Sequence, residues 1–371
     1  MACTNQNQRQ TSSIFADDAE TDTLAENYDL YEIQESGELI VATLSGPDTY
    51  FEFRGRGFGL QHDLAESFAR SIGVRLRVEV AHDTTELLTR LKNREVDLIA
   101  MKLDATKGTV SVKSHWLVSS QTPLLAESIN QWYSPARLEE TKKSSSTPIK
   151  ARRHARPVML DAATGTICQY DALLQRHASS IGWDWRLLAA QCYQESAFDP
   201  QAVSWAGAQG LMQIMPATAA TLGVDASDIF TPETNVEAGV KLLRLLNNTF
   251  SDISPQSARI PYMLAAYNGG ANHVRDAMAL ARKHGRNDKV WREVEPFILK
   301  LSEPRYYNDP VVRSGYLRGS ETQGYVEAIL DRWAQYRGQA RNASRASTPQ
   351  PAKRSKNPTE VRRPAFFPDS L

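Results

Sequence analysis

Glu195 lies in Tyr193-Gln-Glu-Ser-Ala-Phe-Asp-Pro200, and Ser204-Trp-Ala-Gly-Ala-Gln-Gly-Leu-Met-Gln-Ile-Met-Pro216 follows at once. Read as a helix, Trp185, Leu188, Cys192 and Glu195 share one face, three apolar side chains and an acid. Either the acid is desolvated or specifically partnered, or the stripe ends one turn early and the acid faces water. Spacing alone leaves both open. A desolvated carboxyl has a raised pKa, stays protonated near neutral pH and can donate that proton. The small residues Ala206 to Gly210 let backbone approach a ligand closely. They lead to Gln213, flanked by Met212 and Met215, and to Pro216 at the first position of a new helix. Acid, glycine loop and amide together read as a cleft wall rather than a core. Asp199, beside Pro200, reads as a turn residue, and Glu321 as an acid set against the dipole of the last helix. No other acid is tied to the cleft by spacing.

The elements that must carry these residues are helical. Asp171 to Ser180 predicts a first helix, and Asp184 an N-cap for Trp185 to Ser196. Asn235 to Phe250 and Ile260 to Asn268 predict two more, the latter stopping at Gly269-Gly270, and Glu321 to Tyr336 a last one. Strand signals are scarce here, so residues 165–337 are expected to form a mainly α catalytic domain. Residues 38–137 differ. Strand patterns at Leu39 to Leu44, Arg75 to Val80 and Val96 to Met101 alternate with helix patterns at Gly59 to Ala69 and Thr84 to Asn93. That alternation predicts an α/β lobe with a parallel-type sheet and crossover helices. The remaining segments are expected to be a disordered acidic tether (1–37), a basic linker (138–164) and a disordered basic tail (338–371).

The 371 residues suffice for two cores, and 41% hydrophobic with 23% charged residues is ordinary for a soluble chain. Net charge is zero but uneven, with nine acids against Arg9 in the first 38 residues. Such runs are usually solvated segments, and without a basic patch interleaved with aromatics no nucleic-acid partner is expected. Cys3, Cys168 and Cys192 have neither metal-ligand spacing nor a disulfide framework, so no metal or cofactor is expected, and Cys192 reads as a small buried hydrophobe. Met1-Ala-Cys-Thr has a small residue before a cysteine and a polar tether behind it, which looks like the cleavage point of a bacterial lipoprotein without its hydrophobic signal. An accidental early cysteine is the alternative. Membrane contact is expected only through a lipid on Cys3.

Two resemblances follow. The strand LIVATL, the segment GFGLQHDLAESFARSIGV and the phrase LLTRLKNREVDLIA resemble the first lobe of amino-acid-type solute-binding proteins. In place of the family's Thr-x-x-Arg this chain has Asp104-Ala-Thr-Lys-Gly108, and the returning strand and helix (His115 to Ser120, Pro123 to Trp132) follow with no second lobe between. A single lobe is then expected to be a docking or regulatory module that meets other cell-wall proteins. Further on, Gln194-Glu-Ser196, the 210–216 loop, Ala266-Tyr-Asn-Gly-Gly270 and Glu321-Thr-Gln-Gly-Tyr-Val326, in this order, closely resemble lytic transglycosylases with a soluble-lytic-transglycosylase domain, which have a lysozyme-like α fold. A solute-binding lobe ahead of that domain, with RYYNDPVV (305–312) near its end, is most similar to the membrane-bound members.

The resemblance implies an exported, periplasmic enzyme, attached to the outer membrane as a lipoprotein, that cleaves the MurNAc-β-1,4-GlcNAc bond of peptidoglycan without water or cofactor. Glu195 would protonate the glycosidic oxygen, then take the proton of the C6 hydroxyl as a 1,6-anhydro ring closes. Ser204 and Gln213 would bind substrate or orient Glu195, and Met215 would line the cleft floor. Tyr267 and Asn268 would position the sugar, and Tyr325 would pack near the acid. Gln323 stands where many relatives carry Arg, and no role is transferred to it. A lone acid suits an internal nucleophile better than an activated water, whereas a hydrolytic muramidase of goose-lysozyme type would need a second carboxylate. A catalytically silent peptidoglycan-binding scaffold is the rival of another class.

Overall fold

A computed structural model describes residues 28–54, 56–145 and 165–338; Cys3, most of the acidic tether, the linker beyond 145 and the tail beyond 338 lie outside them. The chain divides into the expected α/β lobe and mainly helical domain, and it is the junction between them that shapes the site.

The lobe starts earlier than the acidic composition suggests. Asp29 caps helix α1 (Leu30–Ser36) in a capping box with Glu32. The same carboxylate accepts hydrogen bonds from Leu124 N and Leu125 N, both 2.9 Å, at the start of α4 (Pro123–Trp132). Ile33 is fully buried. Residues 28–37 therefore belong to the folded lobe rather than to a tether, because one acid satisfies two helix N-termini at once.

The sheet runs β4-β1-β5-β7-β6. β1 (Glu38–Leu44) pairs parallel with β4 (Arg75–Ala81) and β5 (Leu98–Ile99), while β7 (Leu117–Ser119) runs antiparallel to both β5 and β6 (Thr109–Ser111). The sheet is thus mixed rather than parallel throughout, since the chain returns through β6 and β7 as a hairpin. Alternation along β1 sends Leu39 and Val41 to one core, with Phe68 of α2 (Leu60–Ser71) and Ile129 of α4. Ala42 and its neighbours Ile40 and Leu44 face the other core, with Leu87 and Leu91 of α3 (Thr84–Lys92). Helix α5 (Pro135–Ser145) then lays Leu138 on the first core. Residues 138–145 are accordingly helical, not linker.

Between β1 and α2 the chain makes a hairpin that periodicity over longer windows passes by: β2 (Phe51–Phe53) and β3 (Arg56–Phe58), antiparallel, with Phe53 opposite Arg56. Its strands are too short to bury a face alone. They bury it on the second domain, where Phe51, Phe53 and Phe58 form a small core with Ala206 and Tyr316.

That domain consists of α6 (Asp171–Ser179), α7 (Trp185–Ser196), α8 (Pro216–Thr221), α9 (Pro232–Thr249), α10 (Ile260–Gly269), α11 (Ala271–Lys283), α12 (Trp291–Lys300), α13 (Pro304–Tyr307) and α14 (Gly319–Tyr336). Helix α10 is buried all round from Tyr262 to Gly269, as a central helix must be. Helix α14 packs along α7 and brings Tyr325 to the end of α7 that carries Glu195.

Candidate active site

Asp184 caps α7 through Arg186 N, and Leu188 and Cys192 are fully buried along its apolar stripe. The stripe does not end early. The Glu195 side chain is 2% exposed, so the desolvated alternative holds. Two groups meet its carboxylate. The Tyr325 hydroxyl donates to Oε1 at 2.6 Å, and Arg54 Nη2, from the hairpin of the lobe, donates to Oε2 at 2.9 Å. Burial pushes the Glu195 carboxyl above the ordinary carboxylate range, while the Arg54 charge and the Tyr325 hydrogen bond oppose that rise without cancelling it. Tyr325 is itself pushed well up by burial and by the neighbouring Glu195 charge. For Arg54, burial is the largest influence and disfavours the charge, but Glu195, Tyr325 and Tyr267 together outweigh it and hold the guanidinium protonated.

Beyond α7, Ala197 and Phe198 take left-handed conformations (φ 52° and 64°) that reverse the chain. Ser196 Oγ donates to Leu211 O at 2.9 Å and ties the helix end to the loop. Gly210 has φ +76°, and a Cβ there would lie 2.2 Å from Asn235 Nδ2, so no larger residue fits. Asn235, fully buried on α9, stitches the loop: its amide donates to Gln209 O and Ile229 O, and its Oδ1 accepts from Met212 N. Gln213 stands at φ 50° with its amide nitrogen donated to Ala202 O and Gly210 O, and its own carbonyl accepts from Arg54 Nη1 at 3.5 Å.

The residues expected at the site converge, yet several have their polar atoms engaged inside the protein. Tyr267 donates its hydroxyl to Met212 O at 2.8 Å and is buried, and Asn268 Oδ1 accepts from Thr322 Oγ1. Both brace the cleft floor rather than point into it. Ser204 Oγ accepts from Ala208 N, closing the small-residue loop, and Met215 is buried just before α8. Of the residues expected at the site, Tyr325 is the one that hydrogen-bonds the acid. Trp205 stays 40% exposed although Phe53 stacks on it (centroids 6.1 Å apart, 11° between planes) and Phe58 lies 4.7 Å away. Trp185 is half-buried against the core, as its place on the stripe implied. Gln323 reaches Glu295 instead of the cleft.

Four residues escaped the sequence reading. Arg54 is one, although Phe-Glu-Phe-Arg-Gly-Arg-Gly-Phe carries a short hairpin's alternation around a turn. Asn235 and Gln191 are two more, polar positions on helices whose partners lie far along the chain. The fourth is Glu321. It is half-buried, its carboxyl is raised by burial, and it feels Arg318, Arg54 and Glu195 electrostatically. A second, half-buried acid thus lies within electrostatic reach of the first, and Glu321 is more than a helix-dipole partner. Among the described residues no group of three His, Cys, Asp or Glu side chains is placed to hold a metal ion.

Residues 172–290 match the family described as Transglycosylase SLT domain. A membrane-bound lytic murein transglycosylase F of Desulfosudis oleivorans is 40% identical over 162 residues, which make up 44% of this chain and 35% of that protein. The chain thus spans about a third of the length of that curated relative. Among solved structures, an inactive mutant of the lytic transglycosylase Slt of Pseudomonas aeruginosa is 26% identical over 45% of this chain and 24% of its own, with a TM-score of 0.33. The arginine-bound form of domain 1 of TmArgBP (a Phe57Trp mutant) is 24% identical over 31% of this chain and 98% of its own, with a TM-score of 0.26.

Proposed function

We propose that this chain is a peptidoglycan lytic transglycosylase whose activity resides in the helical domain and is held in check by the α/β lobe. The observation that carries the chemistry is the Glu195 carboxyl, buried, raised in pKa and hydrogen-bonded by Tyr325, inside the segment that matches the transglycosylase family. A raised pKa keeps a proton available for the glycosidic oxygen between MurNAc and GlcNAc. Once ionised, the carboxylate is stabilised by Tyr325 and can take the proton of the C6 hydroxyl as the 1,6-anhydro ring closes. Gln213 and Ser204 serve this reading by fixing the loop beside the acid, and Tyr267 and Asn268 by bracing the cleft floor, with Met215 in it.

Glu321 supports a second reading, hydrolysis by a goose-type muramidase, because a second carboxylate close to the first could activate water. Mass spectrometry of digested murein separates the two, since anhydro ends lack the added water. Glu195→Gln should abolish lysis while leaving the protein sedimenting with murein. A parent protein without activity would instead favour a binding scaffold.

The checking role rests on the hairpin. Arg54 occupies the oxygen of Glu195 that Tyr325 leaves open, and Phe53 and Phe58 of the hairpin lie against Trp205, which stays partly exposed. A glycan oxygen cannot take the place that Arg54 holds on Oε2, so on this reading the hairpin leaves before substrate reaches the acid. The name of the D. oleivorans relative places it at a membrane and on murein. By that likeness the chain acts in the periplasm, anchored to the outer membrane through a lipid on Cys3, and its lobe meets other cell-wall proteins. No helix among the described residues is long and apolar enough to cross a membrane.

A further inference from the structure

Gln191 lies one turn before Glu195 on α7, fully buried among Leu187, Leu188, Ala190 and Cys192. An amide in such a stretch needs a reason. Its Nε2 donates to the Tyr325 hydroxyl at 3.2 Å, and that hydroxyl donates to Glu195 Oε1 at 2.6 Å. Gln191 Oε1 has no hydrogen-bond partner among the described residues. A buried carbonyl left unmatched is a standing cost that a leucine here would avoid. The side chain therefore serves the chain of hydrogen bonds it begins.

The direction of that chain has a chemical consequence. A tyrosine hydroxyl has one proton, and it can donate to a carboxylate or accept from a carboxylic acid. With Gln191 donating to it, its proton is directed at Oε1, and an Oε1 that accepts this proton is disfavoured as a carrier of its own. The acid's proton is then left to Oε2, the oxygen that Arg54 covers in the closed state and that faces the cleft once the hairpin is gone.

We propose that Gln191 is a positioning residue: by donating to Tyr325 it points the tyrosine proton at Oε1 of Glu195 and reserves Oε2 for the proton that catalysis moves. This rests on the transglycosylase reading for its substrate. In the first step the Oε2–H bond and the glycosidic C1–O bond break, and the departing oxygen keeps the bonding pair and takes the proton as a hydroxyl. C1 is left as a cationic centre stabilised by the ring oxygen, and the carboxylate's charge is shared with Oε1 under the Tyr325 donor. In the second step Oε2 takes the C6 hydroxyl proton as the C6 oxygen bonds to C1, and the enzyme returns to its starting form.

The test is Gln191→Met in the full-length protein, an unbranched replacement of similar length. Without its donor, Tyr325 is free to turn and accept a proton from Oε1, so the neutral acid gains a partner. The Glu195 titration, read by carboxyl-carbon NMR, should move up by about half to one pH unit, and kcat should fall about tenfold with KM little changed. The other groups facing this carboxyl, namely Arg54, Glu321, Tyr267 and Cys192, are the same in both proteins. In a Tyr325→Phe background the same substitution should leave the titration where it was. If Gln191→Met fails to fold, Gln191→Leu is read in the same way. Three results overturn the proposal: an unchanged titration alongside a changed melting temperature, a shift that survives in the Tyr325→Phe background, or a downward shift, which would mean the hydrogen-bond chain runs the other way. Because NMR needs no substrate, a parent protein that releases no anhydro product refutes the transglycosylase reading without touching this result.

Discussion

If the proposed function holds, Arg54→Ala should raise the lytic activity on murein. The Arg54–Glu195 contact is a charge-assisted hydrogen bond at 2.9 Å between side chains 12% and 2% exposed. Such bonds contribute about 1.5–3 kcal/mol, so removing one weakens the closed state relative to the open one by roughly ten- to a hundredfold. The hairpin keeps its phenylalanine packing on Trp205, so closure is weakened rather than abolished. A second effect has the same sign. Arg54 lowers the Glu195 pKa, so losing that opposite charge raises it further. The acid of the free protein then stays protonated to higher pH, and the alkaline limb of kcat/KM, which reports the free protein, moves up with it. The assay is release of soluble muropeptides from purified murein, followed across pH, with Arg54→Lys as a control that keeps the charge. Arg54→Ala losing activity would make Arg54 part of the catalytic machinery and refute the reasoning. So would an unchanged rate together with an unmoved alkaline limb.

Asn235→Ala should destabilise the helical domain by about 3 kcal/mol, because it strands the Met212 N–H and two loop carbonyls in a buried site, and the urea midpoint should fall accordingly. His273 should make the protein acid-sensitive: burial pushes its imidazole down to about 4, and neither ring nitrogen has a partner among the described residues. The unfolded chain takes up this proton near pH 6.5 and the folded one only near 4, so stability should fall by about 3 kcal/mol as pH drops through that window and level off below it. His273→Leu should flatten that part of the curve.

What was legible in the sequence was local. The Asp184 cap, the apolar stripe of α7 and the glycine loop are each set by neighbours within a turn or two, and each stands in the structure. Longer-range choices were not legible. Asp29 looked like one of many acids in a tether because its partners, Leu124 N and Leu125 N, are backbone groups that leave no mark on composition. Glu321 looked like a helix-dipole residue because spacing shows which face of its own helix it occupies, and not that α14 lies against α7. Tyr267 and Asn268 carried the right identities, but their polar atoms bond inward, to Met212 O and Thr322, which only packing decides. Arg54 is the clearest case. Its partner is 141 residues away across a domain boundary, and a strand of three residues barely registers as periodicity.

The edge of the lobe that meets the helical domain bears on the regulatory role proposed for it. In open α/β sheets ligands bind outside the carboxyl ends of the strands. Here the residue that follows β1, Ser45, accepts a hydrogen bond from Tyr316 N at 2.7 Å, and Gly315 comes so close that a Cβ would lie 2.1 Å from Ser45 Oγ. The helical domain thus stands against the end of β1, on the edge where such a sheet would take a ligand. Docking at that edge and ligand binding at it exclude one another. A ligand that took the edge would favour the undocked form by as much as it prefers it, and the hairpin carrying Arg54, a few residues further along the same chain, would leave Glu195 with it. If glycan binds only the undocked form, as the proposed function has it, linkage runs both ways: glycan would raise the lobe's affinity for such a ligand by the same factor by which the ligand raises affinity for glycan.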